Sequence, residues 1–126
     1  MSNKSQNLLE PTTSQKQGML DKYNTGNLDA CLKLAISAAH EYPQDSFAWK
    51  LLSFVHTSLG QLEEALLSAE TALKIDMTDA QLYAQYGTIL LLKGDNAKSI
   101  LPFRKSIDLD PNNSTAYTNL EIGRAH

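Results

Sequence analysis

The sequence predicts an all-α protein, built as a solenoid of antiparallel helix hairpins, and three observations support this prediction. Related residues recur every 34 positions along the chain, which is typical of helical repeat proteins. Each interval contains two stretches whose apolar residues follow helical spacing. A glycine separates the two stretches of each interval, at Gly26, Gly60 and Gly94, where the chain needs a residue that tolerates a left-handed turn.

The period rests on five separate columns of residues. The columns are Gly26/Gly60/Gly94, Pro43/Met77/Pro111, Ala38/Ala72/Ser106, Ala48/Leu82/Ala116 and Leu52/Tyr86/Leu120. Because all five share one period, we predict a flexible N-terminal tail over 1–11 and repeat units over 12–45, 46–79 and 80–113. For residues 114–126 we predict a C-terminal capping helix with a polar outer face. The alternative is that they begin a fourth unit of a longer repeat array.

The middle unit illustrates the expected hairpin. Asp45 or Ser46 caps a first helix over 46–59, and Gly60 ends it. A second helix follows over 61–75. Small residues occupy positions where the two helices of a unit must approach closely. They are Ala65, Ala69 and Ala72 in the second unit and Cys31, Ala35 and Ala38 in the first.

Several of these residues, together with the period, resemble the tetratricopeptide repeat (TPR). In the second unit they are Trp49, Leu52, Gly60, Ala65 and Ala72, and in the third Tyr83, Tyr86-Gly87, Gly94, Phe103 and Asp110-Pro111. The resemblance covers residues 12–113 and implies a right-handed α-solenoid of three TPR-like repeats plus the terminal helix. The chain departs from the family pattern at Ser53, His56 and Ser99. The first unit is the most divergent, because Gly18 occupies a position where a large apolar residue is usual.

Helical geometry divides each first helix into two stripes on roughly opposite sides. One stripe is predicted to form the packing core, through Trp49, Leu52, Ser53 and His56 and then Tyr83, Tyr86, Gly87 and Leu90. The TPR resemblance implies that the other stripe lines a concave groove. The candidate groove residues are Lys16, Leu20, Tyr23, Phe47, Lys50, Phe54, Gln81, Ala84, Thr88, Leu91 and Ile122.

The groove stripe contains apolar side chains where a merely solvated face would carry lysine and glutamate. Tyr23, Phe47, Phe54 and Leu91 are the clearest cases, and contiguous apolar surface usually marks a partner site. The alternative is that individual side chains, such as Phe54 or Leu91, pack between adjacent hairpins.

Charge is unevenly distributed between the two kinds of helix. Of 14 acidic residues, only Asp21 and Glu121 lie on first helices, which carry four basic residues. This pattern favours a neutral-to-basic groove that suits a peptide of some acidic character, although chance placement explains it equally well. Some TPR cochaperones hold a C-terminal carboxylate with Lys, Asn and Arg side chains. Only Lys16 matches that set, because the other places hold Leu20, Leu51, Gln81 and Gln85.

Composition and motifs argue against several other functions. The net charge of −3 and the absence of a basic run argue against a nucleic-acid partner, and no apolar stretch is long enough for a membrane span or a signal peptide. The lone Cys31 suits a reducing compartment, so the cytoplasm is expected. His40, His56 and His126 lack metal-ligand spacing, and His56 is interpreted as a core histidine. No catalytic motif or cofactor signature is present, so we expect neither enzyme activity nor a cofactor.

The sequence therefore predicts a protein–protein interaction module, an adaptor or scaffold that binds a peptide or helix of another protein in its groove. Two alternatives stay open. The repeats could be the arm of a larger enzyme, because Gly60-Gln-Leu-Glu-Glu-Ala-Leu is similar in style to the repeat arms of bacterial glycosyl- or sulfotransferases. The chain could also be a structural protein that associates with itself as a homodimer.

Overall fold

A computed structural model describes residues 9–125, and this part of the chain contains seven α-helices and no strand. The helices are α1 (Thr13–Asn24), α2 (Leu28–Glu41), α3 (Ser46–Ser58), α4 (Leu62–Ile75), α5 (Ala80–Leu92), α6 (Asn96–Leu109) and α7 (Ser114–Arg124). The all-α prediction is confirmed. Residues 1–8 of the predicted tail, and His126 of the predicted terminal segment, lie outside the described residues.

The helices pair as the hairpins α1/α2, α3/α4 and α5/α6, and each hairpin packs on the next. The terminal helix α7 packs mainly on α6 and also touches α5. The first helices of the second and third hairpins, α3 and α5, are also in contact with each other, so they lie side by side in the solenoid. None of the helices in the described part of the chain is long and apolar enough to cross a bilayer.

The turn inside each hairpin depends on a glycine with a left-handed backbone. Gly26, Gly60 and Gly94 have φ values of +80°, +77° and +87°, and no other described residue has a positive φ. A Cβ atom built at any of these three positions meets nothing within 4 Å. The conformation of the backbone, and not a shortage of space, therefore requires glycine.

Side-chain caps begin most of the helices. Thr12 and Gln15 form a capping box, in which each side chain accepts a hydrogen bond from the backbone N–H of the other. At the start of α3, the Asp45 carboxylate accepts the Phe47 N–H at 3.0 Å, so Asp45 and not Ser46 is the cap. Asp79 has the same role for α5.

The core is built around small residues where helices approach one another. Ala65, Ala69 and Ala72 are all fully buried, which confirms the predicted close contact within the second hairpin. In the first hairpin the predicted small residues, among them Cys31, are buried as well. The largest fully buried side chain is that of Phe103, which packs directly over Gly87.

The predicted packing stripe is only partly correct. Leu52, Ser53, Gly87 and Leu90 are buried, but Trp49, His56, Tyr83 and Tyr86 keep substantial exposure. The most deeply buried residues of α3 and α5 are instead Ala48, Val55, Leu82 and Ile89. The reason is that each first helix packs against its own partner and also against the preceding hairpin, which turns the buried face toward these positions.

Candidate functional site

The first helices of three consecutive hairpins enclose a depression of about 350 Å³. Its lining consists of Leu20, Tyr23, Asn24, Phe47, Lys50, Leu51, Phe54 and Gln81. Six of these are predicted groove residues that come from α1, α3 and α5. Asn24 and Leu51 were not in the predicted set. Asn24 lies at the end of α1, where a stripe drawn along the helix does not reach, and Leu51 is a buried residue between the two stripes.

A second depression of about 390 Å³ continues the first toward the C-terminus. It is lined by Phe54, Gln81, Ala84, Gln85, Thr88, Asp110, Asn113 and Thr115. Phe54 and Gln81 line both depressions, so the two form one continuous surface, which we call the groove. Asp110 and Asn113 were not predicted to contribute, because they belong to the turn before α7 and not to a first helix.

Aromatic contacts organise the first depression. The rings of Tyr23 and Phe54 meet edge to face, with centroids 6.4 Å apart and an interplanar angle of 71°. The Lys16 ammonium lies 5.5 Å from the centroid of the Phe47 ring, within the range of a cation–π contact. All three rings remain partly exposed. The arrangement thus holds apolar surface in a fixed geometry that faces solvent.

Both lysines of the predicted groove set are paired with carboxylates of the chain itself, although Lys16 contacts Phe47 without lining either depression. Lys50 Nζ lies 2.7 Å from Asp79 Oδ2, and Lys16 Nζ lies 2.8 Å from Glu10 Oε1. Neither carboxylate belongs to a first helix, so a charge count over first helices does not include them. Asp110 adds a further negative charge to the second depression. Ion pairing thus leaves the groove near the neutral end of the neutral-to-basic range that the sequence favoured.

Hydrogen bonds brace the floor of the groove between neighbouring helices. Gln85 Nε2 donates to the Ser53 carbonyl at 3.3 Å and to Thr57 Oγ1 at 3.0 Å, which ties α5 to α3. Asn119 Nδ2 donates to Thr88 Oγ1 at 3.4 Å, which ties α7 to α5. These polar ties predict a stiff floor. The bonds of Gln85 could have been anticipated from the sequence, because a glutamine at a position that faces the core needs hydrogen-bond partners.

The structure separates some predicted groove residues from the rest. Leu91 is partly buried and packs with Phe103, Ala116 and Leu120, and it lines neither depression. Ile122 lies on α7 with 45% of its surface exposed, and it also lines neither depression. Ala84 lines the second depression although it is only 8% exposed.

Residues 80–113, which form α5, α6 and the turns around them, match the family model of the tetratricopeptide repeat. This segment is a tetratricopeptide repeat. It supplies the Gly87–Phe103 contact and most of the second depression.

Several solved structures have the same fold as this chain. The second TPR domain of human RPAP3, in complex with an HSP70 peptide, is 17% identical with a TM-score of 0.82, over 88% of this chain and 92% of that one. The type III secretion chaperone SycD of Yersinia enterocolitica, in complex with a YopD peptide, is 17% identical with a TM-score of 0.83, over 89% and 91%. An O-GlcNAc transferase from Thermobaculum terrenum is 19% identical with a TM-score of 0.82, over 87% of this chain but only 21% of the transferase.

Histidine and cysteine side chains are the remaining candidates for chemistry in the part of the chain that the structure describes. No group of three His, Cys, Asp or Glu side chains there is placed to hold a metal ion. His56 is half-buried, with Nδ1 2.7 Å from Gln61 Oε1, so the prediction of a core histidine is wrong. His56 lies at the edge of the core because α3 buries the face that carries Ala48 and Val55. Burial raises the pKa of the Cys31 thiol, which disfavours the reactive thiolate.

Proposed function

We propose that this chain is a protein–protein interaction module that binds a peptide segment of a partner protein in the groove. The observation that carries the proposal is the cluster of partly exposed aromatic rings, Tyr23, Phe47 and Phe54, in one continuous depression. Aromatic side chains held in a preformed pocket supply much of the affinity at protein interfaces. The peptide complexes of the RPAP3 domain and of SycD, which have this fold, support the same use of the chain.

The groove suits a neutral or weakly charged peptide segment that carries an apolar anchor residue. The anchor would enter the first depression and cover the edge-to-face pair of Tyr23 and Phe54. Gln81, which is exposed and lines both depressions, can exchange hydrogen bonds with the backbone of an extended peptide. Because Lys16 and Lys50 are already paired, an anionic anchor gains less here than a first-helix charge count suggests.

The proposal includes the organisation of the chain. We take the repeat units as 12–45, 46–79 and 80–113, with 114–126 as a capping segment. The exposed Glu121 on α7 supports a terminal helix whose outer face meets water. A role without catalysis and a cytoplasmic location belong to the same proposal.

The test compares two single substitutions on opposite sides of the solenoid. Phe54→Glu places a charge in the groove, whereas Leu67→Glu changes a side chain that is already 63% exposed and lies outside the groove. Circular dichroism first establishes that both variants fold. Affinity capture from lysate and titration of the recovered partner's peptides should then show binding by wild type and Leu67→Glu, and loss by Phe54→Glu. Equal binding by all three proteins would remove the groove as the site.

A second candidate function is the repeat arm of a larger enzyme, which the likeness to the O-GlcNAc transferase favours. In that case the groove would hold a substrate for a catalytic domain elsewhere in the protein. The complete reading frame decides between the two, because the enzyme alternative requires a catalytic domain joined to these repeats. Self-association as a structural protein is tested separately by light scattering, where a doubled mass that Phe54→Glu abolishes would support it.

A further inference from the structure

A second apolar surface lies on the side of α5 that faces away from the groove. It is a cleft of about 570 Å³ lined by Tyr83, Tyr86, Leu90, Lys98, Leu101, Pro102 and Lys105, which we call the outer cleft. At about 100° per residue, Tyr83, Tyr86 and Leu90 lie opposite the groove residues Gln81, Ala84 and Thr88 on α5. The outer cleft shares no lining residue with the groove.

Apolar side chains dominate the outer cleft, where Leu90 and Pro102 are buried and Tyr83 and Tyr86 are partly exposed. Leu101 is 74% exposed at the centre of the α6 wall. The cleft continues through Tyr83 and Tyr86 into a neighbouring depression that contains Leu73 and Met77, and Met77 is 66% exposed. Large apolar surface of this kind usually marks a docking site.

The charges around the outer cleft indicate the chemistry of its partner. Lys98 and Lys105 precede and follow Leu101 by about one helical turn, on the same face of α6. Neither lysine has an ion-pair partner among the described residues, whereas Lys16, Lys50 and Lys93 each have one. Glu70, a carboxylate of the neighbouring depression, already accepts a hydrogen bond from the Tyr86 hydroxyl at 3.2 Å.

The corresponding site one repeat earlier lacks this positive charge. That depression, of about 230 Å³, contains Trp49, Leu67 and Ser68 at the positions of Tyr83, Leu101 and Pro102. Glu64 lies there at the position of Lys98, and Thr71 at the position of Lys105. The combination of an exposed leucine with two flanking lysines is therefore particular to the third unit.

Pro102 adds one more feature to the wall of the outer cleft. It lies inside α6, and because proline has no N–H, the carbonyl of Lys98 receives no helical hydrogen bond from residue 102. Both residues line the cleft. This missing helical hydrogen bond lies next to the exposed Leu101.

We propose that the outer cleft docks an acidic amphipathic peptide segment of a partner protein. An apolar side chain of the segment packs on Leu101 and Tyr83, and carboxylates before and after it pair with Lys98 and Lys105. The cleft and the groove occupy opposite sides of α5, so one chain holds two partners at the same time. Lys98 and Lys105, which lack an ion-pair partner among the described residues, line this cleft, whereas Lys50 in the groove is paired with Asp79.

A peptide-display selection tests the proposal even while the partner is unidentified, because it starts from random short peptides. The peptides are selected against the Phe54→Glu variant, in which ligands of the groove are disfavoured. Selected peptides are then titrated, by fluorescence anisotropy, against Leu101→Asp and against a double variant with Lys98→Glu and Lys105→Glu. The matched control is Leu67→Asp, which makes the same change at the equivalent exposed leucine one repeat earlier.

The expected consensus is an apolar residue flanked by aspartate or glutamate. Leu101→Asp and the double lysine variant should weaken its binding by at least about tenfold, while Leu67→Asp leaves binding unchanged. Added salt should weaken binding, and replacement of the acidic residues by their amides should weaken it as well. In NMR spectra, the amide shifts should concentrate at residues 83–90 and 98–105.

Three results would overturn the proposal. One is a selection that yields no peptide, or peptides without acidic residues. Another is an equal loss of binding in Leu67→Asp and Leu101→Asp. The third is a dimer in light scattering, or binding to vesicles of anionic phospholipid, that Leu101→Asp removes, because either would assign the cleft to a second copy or to a membrane surface.

Discussion

Replacement of Gly87 by alanine places a methyl group in the tightest contact between α5 and α6. A Cβ atom built on the Gly87 backbone lies 2.8 Å from two carbon atoms of the Phe103 ring and 2.9 Å from a third. Phe103 is fully buried, so its ring has no free space into which it can withdraw. The substitution must therefore push the two helices apart or distort the Phe103 side chain.

Two opposing effects determine the free energy of unfolding of this variant. Overpacking of a close-packed core costs about 1–3 kcal/mol. Alanine in place of glycine inside a helix recovers about 1 kcal/mol. Because three ring atoms are involved and the ring is enclosed, we expect a net loss of about 1–2 kcal/mol. In a chain of 126 residues this lowers Tm by about 4 °C per kcal/mol.

Gly18→Ala is the matched control, because Gly18 also lies inside a helix but a Cβ built there meets nothing within 4 Å. This variant should gain about 0.5–1 kcal/mol from helix propensity alone. Urea denaturation followed by circular dichroism measures both variants. A Gly87→Ala protein that is as stable as Gly18→Ala would show that the close approach of α5 and α6 does not constrain residue 87.

Three further predictions concern single side chains. Asp79 caps α5 and also pairs with Lys50. Asp79→Ala should therefore lower the free energy of unfolding by about 1–2 kcal/mol in urea denaturation, and Lys50→Met should lower it by under about 1 kcal/mol. Equal losses in the two variants would contradict this double role of Asp79. Cys31 is fully buried and its thiol pKa is raised by burial, so a thiol reagent should label it only as fast as the protein unfolds. Rapid labelling under native conditions would be inconsistent with that burial. Burial raises the pKa of Tyr86, and so do the negative charge of Glu70 and the hydrogen bond to it. The protonated Tyr86 hydroxyl therefore contributes fully to stability below the unfolded pKa of about 10, and this contribution is lost as the pH rises through the folded pKa. Spectrophotometric titration should lose its latest tyrosine step in Tyr86→Phe, and an unchanged titration would disprove the assignment.

Much of the candidate site was predictable from the sequence because helical periodicity assigns residues to faces. Tyr23, Phe47 and Phe54 come together in one depression, as a stripe along the first helices requires. Leu91 lies on the same stripe but packs with Phe103 and Leu120 instead. The stripe rule could not separate these cases, because the position of α7 determines which side of α5 is covered at its C-terminal end.

The charge of the groove could not be predicted either from the assignment of residues to stripes. Lys50 pairs with Asp79, which is 29 residues away in the chain and lies in the turn before α5. Lys98 and Lys105, which have no ion-pair partner within residues 9–125, lie on α6, a second helix, and the sequence predicted binding only along first helices. Ion pairing depends on distances between elements, and periodicity along one helix contains no information on them.

Local backbone energetics explain which features could be derived from the chain without its fold. The period, the left-handed glycines at Gly26, Gly60 and Gly94, and the cap choices among Asp, Asn and Thr follow from the conformations that each residue tolerates. Stacking of the hairpins, by contrast, selects the buried face of each first helix, neutralises Lys50 and opens apolar surface on two sides of α5. These properties depend on contacts between residues far apart in the chain, and such contacts form only when the hairpins stack.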